Sequence, residues 1–177
     1  MVYEYPSKDL ADVFGYKLEP IDEKNTCFYL INAFDEHPEP EKRHLTLSPK
    51  EQEETGLLTV ILAVIYMKNG VIKHDDLFKF LKDLKIWDDD REMEPFGKVK
   101  NLIDDWVKKQ QYLAMCKEDT NEDNPTVTYT WGQRATVEVK KSEILKFVSE
   151  IYGKSPEEFT EQYEAIQREE GEGIFEV

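Results

Sequence analysis

Between Leu57 and Lys68 only Thr59 and Lys68 interrupt a continuous run of apolar residues. A helix drawn through this run is hydrophobic on every side, which places it in a core or a membrane. A bilayer span takes about 20 apolar residues, so the run is too short for one. It reads as the central buried helix of a soluble domain. Asn69-Gly70 closes it, because both residues tolerate the left-handed backbone that ends helices. Its start is open between two signals. Ser48-Pro49-Lys50-Glu51 has the form of a capping box with proline at the first helical position, and Thr55 lies nearer the apolar run.

Elsewhere the pattern alternates between helical and strand periods. Ser7 can cap a short helix carrying Leu10, Val13 and Phe14, with Gly15 placed to stop it. Tyr16 to Pro20 and Thr26 to Phe34 read as two strands joined by the turn residues Asp22-Glu23-Lys24-Asn25. Residues 37–47, with Pro38 and Pro40 set among charges, read as a linker. Leu77, Phe80, Leu81 and Leu84 repeat at helical spacing over residues 75–84, with Asp75 or Asp76 supplying negative charge at the start. A further helix is predicted over residues 97–109, its inward stripe being Val99, Leu102, Ile103, Trp106 and Val107. Strands follow at Tyr112 to Lys117 and Thr126 to Trp131; in the second, Val127, Tyr129 and Trp131 alternate with threonines. After Gly132 a helix is predicted over residues 142–152. Ser155-Pro156-Glu157-Glu158 is a second capping box, opening a last helix with Phe159, Tyr163 and Ile166, and the tail after Arg168 is expected to fray.

The order of elements predicts an α+β, mainly helical chain of tandem winged helices. A partial first one, helix plus β-hairpin, spans residues 1–36 and a complete second one spans 48–154. The C-terminal helix and tail occupy 155–177. At 177 residues the length suits this division. A net charge of -15 argues against a chain that coats nucleic acid non-specifically, although it leaves room for a local basic patch. Cys27 and Cys116 lack metal-type spacing and read as reduced thiols of an intracellular protein. No apolar stretch of signal-peptide type follows Met1.

No enzyme constellation emerges. His37, His44 and His74 form neither HExxH nor a Cys/His cluster, and there is no phosphate loop, GxSxG or nucleotide fingerprint. Asp88-Asp89-Asp90 lacks the glycine and distal glutamate of a calcium loop. We therefore expect no catalytic residue, metal or cofactor, and read the chain as a binding or scaffolding protein. A winged helix raises the question of DNA, usually met by one helix in the major groove with the wing on the backbone. Lys98, Lys100, Arg134, Lys140 and Lys141 are the candidate cations, but the wing loop carries Glu118, Asp119, Glu122 and Asp123. The aromatic residues Tyr66, Phe78, Phe80, Phe147, Tyr152 and Phe159 exceed what a small bundle needs inside, so some could line a groove for a partner helix.

Several stretches together resemble the MAGE homology domain. They are Gly56-Leu57-Leu58 through Met67-Lys68-Asn69-Gly70, Val13-Phe14-Gly15-Tyr16-Lys17-Leu18, Phe96-Gly97, Tyr112-Leu113 and Trp131-Gly132-Gln133-Arg134-Ala135. Leu145-Lys146-Phe147-Val148 and the Ser155-Pro156 helix with Gln162-Tyr163 are most similar to the non-SMC element three branch, the MAGE-type subunits of the SMC five–six DNA-repair complex. The resemblance implies tandem winged helices, no catalysis and a nuclear setting. It implies three partners: a kleisin subunit, a RING-type ubiquitin ligase subunit and double-stranded DNA. The kleisin groove is assigned to Tyr66, Phe78, Leu81, Leu145, Phe147 and Tyr152. The first winged helix is expected to be truncated, since the family's opening helices, with a leucine pair used for RING contact, would lie before Met1. Gln133 stands where relatives carry proline. Two alternatives accompany this reading: a DNA-binding winged helix, and a MAGE-type substrate adaptor of a RING ligase outside any SMC complex.

Overall fold

A computed structural model describes residues 10, 12–20, 28–32, 47–88, 91–118 and 126–172. The predicted linker, except for Leu47, and the wing loop from Asp119 to Pro125 lie outside the described residues, as does Cys27. The chain divides into two compact units, Met1–Ser48 and Pro49–Val177. In the first, strand β1 (Tyr16–Pro20) pairs antiparallel with β2 (Phe28–Asn32), Tyr16 opposite Asn32 and Pro20 opposite Phe28. Gly15, just before β1, has φ +67, a conformation that suits glycine. Val13, Phe14, Tyr16 and Leu30 are exposed.

The second unit is built on helix α1 (Pro49–Met67). Its start at Pro49 settles the choice between the two N-terminal signals. Thr55 lies inside the helix, where its backbone carbonyl accepts the Thr59 hydroxyl at 2.8 Å. Leu57, Leu58, Ile61, Leu62 and Ile65 enter one hydrophobic cluster, while Ala63 and Tyr66 enter another. Contact with both explains why the run is apolar all round. The helix stops where Asn69 (φ 59) and Gly70 (φ +87) turn left-handed, and the Gly70 N–H closes onto the Ile65 carbonyl at 2.9 Å.

Strand β3 (Val71–Lys73) follows directly, then helix α2 (His74–Asp83) and helix α3 (Val99–Lys108). Strands β4 (Leu113–Glu118) and β5 (Thr126–Trp131) complete an antiparallel sheet in the order β3-β5-β4. Leu77, Phe78 and Leu81 of α2 and Val99, Ile103 and Trp106 of α3 fill the first cluster beside Ile72, Leu113 and Tyr129. Helix α4 (Gln133–Glu138) and helix α5 (Lys141–Tyr152) come next, then a 3-10 turn at Pro156–Glu158 and helix α6 (Thr160–Glu172). The Ser155 capping box forms reciprocally, with the Ser155 N–H donating to Glu158 Oε1 at 3.0 Å.

Three features differ from the sequence reading. β3 and α4 were not anticipated, since three residues and six are too few to show a period. α4 also includes β-branched Thr136 and Val137, and it is held from outside itself: Ala135 is fully buried. α6 continues as helix to Glu172, past the fraying expected after Arg168.

Candidate partner-binding site

The joint between β5 and α4 is the most constrained point of the second unit. Gly132 donates its N–H to the Tyr112 carbonyl at 2.8 Å, and Arg134 N–H reaches the Gln111 carbonyl at 3.2 Å. A Cβ on Gly132 would lie 2.1 Å from the Gln111 carbonyl oxygen and 2.9 Å from Leu113 N. Only glycine allows this approach. Gln111 itself is left-handed, at φ 58. The Trp131-Gly132-Gln133-Arg134-Ala135 stretch is therefore explained by packing.

Trp131 stands beside this joint and packs against both hydrophobic clusters. Its indole N–H donates to the Leu62 carbonyl of α1 at 2.9 Å, and its ring centroid lies 6.1 Å from that of Tyr66. The Tyr66 hydroxyl donates to the Gln162 carbonyl of α6 at 3.0 Å, and the Gln162 amide donates to Asn69 Oδ1 at 3.4 Å. A cleft of about 580 Å3 opens over these residues, with Thr130, Thr136, Lys141, Glu161, Ala165 and Arg168 among its walls. It thus brings together Tyr66, expected in the kleisin groove, and Lys141, expected to meet DNA.

The remaining groove residues do not converge. Phe78 and Leu81 belong to the first cluster and Leu145 to the second; Leu81 and Leu145 are 0% and 1% exposed. All three pack in the chain's own clusters; the same helical period marks a core face and a binding face. Phe147 is half-buried and Tyr152 is 68% exposed at the end of α5. Ile151, which the sequence reading did not place in the groove, is 65% exposed beside it. The Tyr152 ring meets Phe159 edge-on at 6.1 Å, and the Lys154 ammonium sits 5.9 Å from the Phe159 ring centre.

The basic candidates are also scattered. Lys98 precedes α3 and lines a separate cleft shared with Lys50, Glu54, Glu92 and Asp105, so its surroundings are mixed in charge. Lys100 is exposed on α3. Arg134 is held within the unit: its Nε pairs with Glu138 at 2.8 Å and its guanidinium stacks 4.6 Å from the Tyr112 ring centre. The Tyr112 hydroxyl donates to the other Glu138 oxygen at 2.6 Å. Arg134 is thus neutralised within the unit. Lys140 and Lys141 open α5, Lys140 exposed and Lys141 partly covered. Lys108 and Lys109 pair with Asp104 and Asp105, and the Lys109 ammonium holds the Asp105 carboxyl below the usual carboxylate range.

His74 packs at a tilt of 39° against Phe78 with ring centroids 4.3 Å apart, and its Nδ1 lies 3.2 Å from the Tyr129 hydroxyl. Burial, with a smaller contribution from Asp104, pushes the Tyr129 phenol above its usual value. Among the described residues no group of histidine, cysteine, aspartate or glutamate is arranged to hold a metal, and no helix is long and apolar enough to cross a membrane.

The sequence profile of the MAGE homology domain matches residues 1–142. The human "Non-structural maintenance of chromosomes element 3 homolog" is 30% identical over 170 residues, covering 96% of this chain and 54% of that protein. Its mouse counterpart is 31% identical over 163 residues, covering 91% and 56%. Human "MAGE-like protein 2" is 33% identical over 155 residues, covering 87% of this chain but 12% of its own length. The chain thus spans about half the length of the first two relatives. Among solved structures, a chain of the "Nse1-Nse3-Nse4 complex" superposes with a TM-score of 0.78 at 31% identity, covering 93% of this chain and 79% of that one.

Proposed function

The chain belongs to the MAGE homology domain family, and from that membership we propose that it is a non-catalytic adaptor subunit of an SMC-type DNA-repair complex. The similarity to a chain of the Nse1-Nse3-Nse4 complex, extending over 93% of this protein, carries the reading. In this reading the second unit is a winged helix, with α1, α2 and α3 as its helices and β4–β5 as its wing. A kleisin subunit docks on the apolar end of α5, formed by Phe147, Ile151, Tyr152 and Phe159. Exposed Ile151 and Tyr152 support this face, because large apolar side chains left in water at the end of a helix suit a helix-in-groove contact. A RING-type subunit is the second partner, and the setting is nuclear.

The test is titration of a labelled kleisin subunit into the full chain, beside labelled duplex DNA at two salt concentrations. Tyr152→Asp and Ile151→Asp remove exposed anchors without opening the core. Each lowers kleisin affinity by about thirtyfold, the effect of losing one interface hot spot. Undiminished binding by these folded variants would sink the assigned face. DNA is the competing partner, through Lys98, Lys100, Arg134, Lys140 and Lys141. Steeply salt-dependent DNA binding without kleisin binding reverses the ranking. Capture of a RING ligase without kleisin points instead to a substrate adaptor outside any SMC complex.

A further inference from the structure

The tyrosines of the described chain differ sharply in how far they can be reached. Tyr66 and Tyr129 are buried, the first giving its hydroxyl to the Gln162 carbonyl and the second facing His74. Tyr112 donates to Glu138, Tyr29 and Tyr163 are half-buried, and Tyr16 is tied into β1 opposite Asn32. Tyr152 is 68% exposed, and only its ring is engaged, edge-on against Phe159. It is the last residue of α5. Gly153 follows at φ +62 and ends the helix, so Tyr152 belongs to the terminal turn, the part of a helix that opens at least cost. Glu150 and Ile151 stand before it, a carboxylate and then an aliphatic side chain that is itself exposed.

A protein kinase takes its target residue from a locally opened segment and reads the charge and shape of the side chains beside it. An exposed tyrosine in a terminal turn, behind an acidic and an aliphatic residue, meets both demands. We propose that Tyr152 is a phosphorylation site for a tyrosine kinase, and that the phosphate closes the apolar end of α5 to its partner. In the reaction the Tyr152 oxygen attacks the γ-phosphorus of ATP. The new O–P bond forms as the bond to the β-phosphate oxygen breaks, ADP leaves with that electron pair, and the phenol proton passes to the kinase's catalytic carboxylate. The product carries about 1.5–2 negative charges at neutral pH. They fall at the negative end of the helix dipole, where the Gly153 and Lys154 N–H groups close onto the Glu150 and Ser149 carbonyls. Glu157 and Glu158 on the following 3-10 turn add repulsion. Lys154 is the neighbouring cation, and drawing it to the phosphate takes it from the Phe159 ring. The last turn of α5 is loosened, and charge enters a face made of Phe147, Ile151 and Phe159. The loss of docking rests on the reading of that face as the kleisin site, whereas the modification itself does not.

The experiment treats the full chain with ATP and the catalytic domain of a tyrosine kinase that prefers an acidic and then an aliphatic residue before tyrosine. Peptide mass mapping locates the phosphoryl group, amide hydrogen exchange follows α5, and a labelled kleisin subunit is titrated before and after treatment. Tyr152 takes up phosphate ahead of Tyr16, Tyr29 and Tyr163. Exchange in the last turn of α5 then quickens by about threefold, while α2 and α3 keep their rates. Kleisin affinity falls by about thirtyfold or more, and a tyrosine phosphatase restores it. In Tyr152→Phe the same treatment leaves exchange and affinity at that variant's own untreated values. Tyr152 left unmodified overturns the proposal, as does unchanged exchange, or undiminished kleisin binding by the phosphorylated chain. If the untreated chain binds no kleisin, the docking reading fails together with the loss expected from it, and mapping and exchange alone uphold or overturn the site.

Discussion

The substitution of alanine for glycine has opposite consequences at two positions of the second unit. At Gly132 the new Cβ would meet the Gln111 carbonyl oxygen at 2.1 Å and its carbon at 2.7 Å, distances real Cβ atoms do not show. Both obstacles are backbone, so relief takes a shift of about 1 Å in the segment leading into β4. Overpacking of this kind costs about 1–3 kcal/mol. The shift also strains the bonds from Gly132 to Tyr112 and from Arg134 to Gln111, each worth about 1 kcal/mol. The total is about 3–5 kcal/mol. At Gly56, inside α1, nothing lies within 4 Å of an added Cβ. Alanine there relieves the backbone entropy of a helical glycine and stabilises by about 0.5–1 kcal/mol. All three tryptophans, Trp87, Trp106 and Trp131, lie in the second unit, so thermal unfolding followed by tryptophan fluorescence reports on that unit alone. At about 2–4 °C per kcal/mol, Gly132→Ala melts about 6–20 °C lower and Gly56→Ala a few degrees higher. A Gly132→Ala protein melting within about 2 °C of the parent would refute the close approach at the β5–α4 joint, since the steric cost alone exceeds that.

Tyr66→Phe removes the hydroxyl bond to Gln162 and destabilises by about 1 kcal/mol; hydrogen exchange accelerates in α6 more than in α2 or α3. Tyr129 holds its proton more tightly folded than unfolded, so its contribution to stability is complete below pH 10 and is lost as pH rises beyond it. Urea titrations across that range lose less stability in Tyr129→Phe than in the parent, while Tyr129→Phe is the weaker protein at pH 7 because His74 loses its partner. Leu145→Asp places a carboxylate at a position 1% exposed and unfolds the second unit, visible as loss of its cooperative melt, whereas Tyr152→Asp melts within about 2 °C of the parent.

Sequence pattern made the scaffold legible wherever an element was long enough to show its period. The apolar run fixed α1, the stripe from Val99 to Val107 marked α3, and the alternation at Tyr129 and Trp131 marked β5. β3 and α4 escaped because they are held by partners distant in sequence. The site was far less legible. Helical spacing tells that Phe78, Leu81 and Leu145 face something, not whether that is this chain's interior or another protein. The pairing of Arg134 with Glu138 was accessible, since four residues is the spacing at which helical side chains meet. No local signal joins Tyr66 to Gln162, which lies 96 residues away.

The cleft has a floor and a rim that answer to different demands. Trp131 and Tyr66 are fixed to α1 and α6 by their own polar atoms, so replacing either disturbs the fold first. Glu161 and Arg168 stand exposed on α6, with little folding stability depending on them. The charges on the outer side of α6 can therefore change while the aromatic platform stays as it is. Two proteins sharing the platform can differ in the charge they present there without any change in their backbones.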